Sequence, residues 1–219
     1  MFLGHFALGL GAKRLAPRAP LAALLAAAGF LDLLWPVFLI AGLEHARIDP
    51  GNTAFTPLDF YDYPISHSLA ATLGWAVLFG GTYFAIARDR AGSLMCAFLV
   101  ASHWILDWIS HRPDLPLHPG ASPLFGLGLW NSVASTFVVE LVLFAAGIAL
   151  YLRTAAPGSY GPKRFWGLIG LMLIAYFANY FGPAPDSMAQ LAWASLAGAL
   201  LLVWWGWWIE RRPPATRAP

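Results

Sequence analysis

The chain has 219 residues, 59% hydrophobic and 11% charged, with a mean hydropathy of +0.62. Soluble domains carry about a quarter charged residues, so this composition excludes an ordinary soluble enzyme and indicates an integral membrane protein. A net charge of +2 supplies no basic face for nucleic acid, and the single Cys96 excludes both a disulfide framework and a cysteine-rich zinc site.

The first eleven residues are apolar and precede Lys13, Arg14 and Arg18, which is the reverse of a secretory signal. Phe2 to Leu10 is too short to cross a bilayer and is expected to re-enter it or to lie along its interface. Six later stretches reach the roughly 20 apolar residues a span requires: 20–43, 66–87, 91–111, 129–152, 165–183 and 187–209. Only Asp32 and Pro36 interrupt the first, and Pro36 is expected to kink it one turn beyond the acid. The last two hold no charged residue. The expected architecture is all-α and polytopic: six transmembrane helices plus the short N-terminal segment in a single domain, 1–212, with a disordered tail at 213–219.

Lys and Arg placement sets the direction of a polytopic chain. Lys13, Arg14, Arg18, Arg88, Arg90, Arg153, Lys163, Arg164, Arg211, Arg212 and Arg217 fall on one side, against Arg47 and Arg112 on the other. Both termini are therefore expected in the cytoplasm, with loops 44–65 and 112–128 outside. Trp204, Trp205, Trp207 and Trp208, just before Arg211, read as an interfacial aromatic anchor.

The third span carries His103, Asp107 and His111 at i, i+4 and i+8, one stripe of a helix. Ionisable groups at membrane depth are costly and mark a functional site or a helix-gluing pair. By depth, Asp32, His67, His103 and Asp107 fall between the midplane and the outer leaflet, with His111 at the edge and Glu140 near mid-span. Imidazole and carboxylate ligands suit a divalent metal, zinc first among them. His67, His103 and Asp107 are the expected ligands, and His5 joins them only if the N-terminal segment re-enters. Asp32 and Asp107 are the expected catalytic carboxylates, with Asp32 also able to ligate. Asp62, His111, Arg112 and Glu140 are candidates for supporting the site or contacting substrate, Arg112 as a phosphate grip. Cys96 lies near the opposite end of its span and is expected to be a packing residue. Gly126 to Ser132 should form a tight turn capped by Asn131 or Ser132 as the fourth span begins.

Four short motifs occur in order: Gly4-His5, Asp32 in Phe30-Leu31-Asp32-Leu33-Leu34-Trp35-Pro36, Ser66-His67-Ser68-Leu69, and Ser102-His103-Trp104-Ile105-Leu106-Asp107. In this the chain, over about residues 4–120, resembles bacterial inner-membrane proteins known as membrane-bound metal-dependent hydrolases. The resemblance implies metal-assisted hydrolysis of a membrane-associated substrate, such as a lipid phosphoester. It departs from that group in having Asp32 alone where a Pro-Asp-x-Asp is usual, and no His-Arg-Gly before His67. Membrane lipids are the expected partners. The competing expectations are a non-catalytic scaffold and a proton- or ion-coupled transporter.

Overall fold

The computed structural model describes residues 1–154 and 161–211; the expected tail lies outside them. The protein is an all-α polytopic membrane protein. Five helices are long and apolar enough to span: α5 (Leu69–Ala87), α6 (Arg90–Ser110), α7 (Val133–Thr154), α8 (Pro162–Phe181) and α9 (Met188–Glu210). The expected first span is instead a broken pair, α2 (Leu21–Ala28) and α3 (Phe30–Ile40), meeting at 57°. The bend falls at Gly29, before Asp32, and not beyond it at Pro36, which stays inside α3. A proline costs a helix one hydrogen bond, whereas a glycine lacks the side chain that rigidifies the backbone, so the chain bends at the glycine.

The N-terminal segment forms α1 (Leu3–Ala12), and its interfacial alternative does not hold. Leu3, Phe6, Ala7 and Leu10 are buried among α7, α8 and α9. At about 1.5 Å per residue its ten residues cover half a membrane. It enters from the basic end, where Lys13 Nζ lies 2.6 Å from Glu210 Oε1, and ends at the polar cluster. Glu210 Oε2 also accepts the Leu21 N–H at 2.8 Å, so one carboxylate ties the foot of α1 to the start of α2. Small residues let α1 approach α7: a Cβ on Gly147 would sit 2.4 Å from the Ala7 carbonyl oxygen.

The connections opposite the basic end hold structure that periodicity did not anticipate. β1 (His45–Ile48) and β2 (Leu58–Asp62) form an antiparallel ribbon pairing His45 with Asp62 and Arg47 with Asp59; these opposite-charge pairs lie at 2.7 Å each. After it comes α4 (Pro64–His67), a single turn. A second ribbon joins β3 (Leu115–Pro116) to β4 (Leu124–Phe125). The turn before α7 is as expected, with Gly128 at φ +74° and Ser132 Oγ accepting the Ser135 N–H. Arg47 and Arg112 share this end, and the other described Lys and Arg residues lie at the opposite one. There Arg164 and Arg211 stack over Trp208 and Trp207 at 4.6 and 4.5 Å.

Gly147→Val would force α1 away from α7. We expect a loss of about 2 kcal/mol, read as a lower thermal midpoint by tryptophan fluorescence in detergent, with Gly170→Val, which meets nothing within 4 Å, as the neutral control.

Candidate metal centre

Five side chains from four helices converge where α1 ends inside the bundle. Asp107 on α6 stands in the middle, 2% exposed, and divides its two oxygens. Oδ2 lies 3.1 Å from His103 Nε2 and 3.8 Å from His67 Nε2. Oδ1 lies 3.0 Å from His5 Nε2, 2.5 Å from the Met1 amino nitrogen and 3.8 Å from His111 Nε2. Asp32 on α3 closes the first half, with Oδ1 3.7 Å from His103 Nε2 and 3.9 Å from His67 Nε2. The His5 and His103 rings stack at 3.6 Å, 6° from parallel.

The imidazoles of His103, His67 and His111 are each aimed by a contact on the other nitrogen. The break at Gly29 makes the Ala28 carbonyl available, and His103 Nδ1 lies 2.9 Å from that oxygen. A carbonyl can only accept, so Nδ1 carries the proton and Nε2 keeps its lone pair. His67 is set by a relay. Ser66 Oγ donates to Glu44 Oε2 at 2.6 Å and lies 2.7 Å from His67 Nδ1. With its one proton committed to the carboxylate, the hydroxyl must accept from Nδ1–H, again leaving Nε2 free. Glu44 also accepts the Ile65 and Ser66 N–H groups at 2.7 Å each, capping α4. Burial pushes the Glu44 carboxyl above its ordinary value, against these donors.

His111 is held from outside. Its Nδ1 lies 3.0 Å from Asp114 Oδ1, which also accepts from Tyr63 Oη at 2.7 Å. Burial and the Asp114 carboxylate raise the Tyr63 phenol well above its ordinary value, so it remains a donor. The backbone at the end of α6 is fixed by Leu127 N–H to the Trp108 carbonyl and Gly128 N–H to the His111 carbonyl, both at 2.7 Å. Glu140 does not reach the cluster. Its Oε2 accepts the Phe2 and Gly4 N–H groups at 2.9 and 3.3 Å, so this buried acid on α7 caps the first turn of α1 and seats His5.

The structure thus brings His5, Asp32, His67, His103 and Asp107 together, sets His111 beside them and gives Glu140 a holding role. Asp62 stays outside, half-exposed and bonded to His45. Arg112 is paired with Asp59, which also holds Arg47, and lies 3.6 Å from Asp114. Cys96 packs in an apolar cluster with Leu24, Leu99 and Val100. Sequence reasoning missed Glu44, Ser66 as a relay and Asp114. Ser66 and Asp114 adjoin His67 and His111 in the chain, but nothing local marks Glu44, 22 residues from its partner.

Ligand-type atoms of His5, His103 and Asp107, and those of Asp32, His67 and His103, lie within 4.8 Å of one another in each set. His103 Nε2 is buried without a hydrogen-bond partner, as is His5 Nδ1. A small aromatic-walled pocket of 140 Å³ gives access, lined by Asp32, His67 and Asp107 below Phe2, Trp35 and Trp130. Comparison with family models, curated proteins and solved structures finds no match to this chain.

Glu140→Ala leaves two N–H donors of α1 without an acceptor, at about 1–3 kcal/mol each. A marked fall in thermal midpoint is expected, with Glu140→Gln, which keeps one acceptor oxygen, falling between it and the parent.

Proposed function

We propose that the cluster binds a divalent metal, zinc by ligand preference, and that the protein is a metal-dependent hydrolase of a membrane-associated ester. One observation carries this: Asp32 Oδ1, His67 Nε2, His103 Nε2 and Asp107 Oδ2 stand 3.1 to 3.9 Å apart across four pairs. Zinc bonds of about 2.0–2.1 Å at tetrahedral angles place donor atoms roughly 3.3 Å apart. Scaffolding pairs have no reason to arrange four donors on the edges of a tetrahedron, with both imidazoles already tied at Nδ1. The buried His103 Nε2, without a hydrogen-bond partner, fits a nitrogen whose lone pair serves a metal. Because His103 Nε2 belongs to both donor sets, it is the hub of the centre.

A divalent ion in such a site lowers the pKa of a bound water and polarises the scissile group. The chain's own residues do the rest. His67, His103 and Asp107 hold and orient; His5 braces Asp107 through its second oxygen. Asp32, whose side chain is 43% exposed and lines the pocket, takes the proton from the attacking water. The water oxygen bonds to the electrophilic centre, the ester bond to the alcohol breaks, and Asp32 returns the proton to the leaving oxygen. Trp35, Phe60 and Trp130 restrict bulk water.

A transporter needs a polar path through the bundle. Toward the basic end Leu24, Ala27, Leu31, Leu99 and Val100 are instead buried against each other, which favours chemistry at one face.

Purified protein is expected to carry about one equivalent of zinc by elemental analysis, lost in His103→Ala and Asp107→Ala. Ser66→Ala should weaken affinity about 10- to 100-fold, the usual cost of removing a ligand's supporting bond. Metal-free protein that keeps its fold and its hydrolytic activity would sink the proposal.

The basic end, by the charge rule, is taken as cytoplasmic and the membrane as the bacterial inner membrane. A fluorescent protein fused after Pro219 should therefore fluoresce, and alkaline phosphatase there should be inactive.

A further inference from the structure

The pocket over the cluster holds 140 Å³, whereas pockets that enclose a whole small ligand run to about 300–1,000 Å³. It admits a head group and little else. At the same end of the bundle lies a second cleft of 720 Å³, between the 50–58 segment and the adjoining ends of α8 and α9. Phe55, Pro57, Ala178, Phe181, Leu191 and Ala194 are among its walls. Among the described residues, no Lys, Arg, Asp or Glu lines it. It opens where two membrane-spanning helices end, and Phe181 at its rim is 72% exposed.

A single aromatic layer separates the two cavities. Phe55, in the wall of the cleft, donates its N–H to the carbonyl of Trp130 at 3.0 Å, and Trp130 lines the site pocket. Phe55 also packs on Tyr176 at 5.8 Å, and Tyr176 stacks on Phe2 at 6.4 Å; Phe2 is another wall of the site pocket.

We infer that this cleft seats the apolar chain of a lipid whose small head group occupies the pocket over Asp32 and Asp107. The inference rests on the hydrolase reading for what happens to the head group, and on cavity size, lining and continuity for where the chain lies. An uncharged cleft beside an uncharged aromatic wall grips by apolar contact, so the chain supplies anchorage and the polar cluster acts on the head. Entry is sideways from the bilayer between α8 and α9.

The test uses the intact protein in nanodiscs and dodecyl phosphate carrying a diazirine at the end of its chain. Light-driven labelling is expected on residues 50–58 and 178–194, mapped by mass spectrometry. It should fall at least tenfold in Ala194→Trp and Ala178→Trp, which fill the cleft without touching the cluster. Dodecanol with the same diazirine should label these segments at least tenfold less, because it lacks the head group. Labelling spread evenly over the lipid-facing sides of α5 and α9, or unaffected by both tryptophans, overturns the inference. Equal labelling by the alcohol overturns it too, since the cleft would then be a lipid seat unconnected to the site. Zinc content, read on the same samples, separates the two readings: cleft labelling without zinc defeats the hydrolase and leaves the lipid seat standing.

Discussion

The Asp107 carboxylate is the point on which the polar interior depends. At membrane depth a lone charge is costly, and this one is buried with both oxygens committed, Oδ2 toward His103 and His67 and Oδ1 toward His5 and the Met1 amine. The surrounding helices are disposed around it. α1 stops where its first turn meets the carboxylate, and α6 delivers it one turn below His111. The α2–α3 break brings a carbonyl and Asp32 to the same place. Hydrophobic burial between helices has little driving force in lipid, so such polar convergence does more to fix their arrangement than it would in water.

Around that centre three imidazoles are oriented through Nδ1, by a carbonyl at a helix break for His103, a serine backed by Glu44 for His67, and Asp114 for His111. Rigid orientation of ligating nitrogens is what separates a binding site from a collection of polar side chains. The acidic groups behind His67 and His111 sit at the ribbon-bearing end, outside the spans, where a carboxylate is less costly to keep.

Much of this was legible in the sequence because membrane chemistry simplifies it. Apolar stretches of about 20 residues marked the spans, and charges inside them stood out as candidates, so His103, Asp107, Asp32 and His67 could be named from spacing and depth alone. The failures share a cause. The bend at Gly29, the Glu44 cap on α4 and the engagement of Arg112 with Asp59 depend on contacts between residues distant in the chain, which periodicity does not register. Pro36 carried a strong local signal, yet the bend went to a glycine whose signal is weaker. Glu140 was visible as a buried acid, but that it receives the backbone of α1 follows only once α1 is known to enter the bundle. Asp62 looked close to His67 in the chain, while the β-ribbon turns it toward His45 instead.

Half a membrane in length, α1 has too few residues to hold its place in lipid unaided. Its upper end is received by Glu140, 138 residues later in the chain, and its lower end by Glu210. During synthesis the first helix is therefore made long before either of its anchors. His5 takes its position only after the seventh helix has been inserted, and the foot of α1 is secured by the last residue of the ninth. The polar centre is thus the final part of the molecule to close, and a chain halted midway through synthesis carries the ligands without the site.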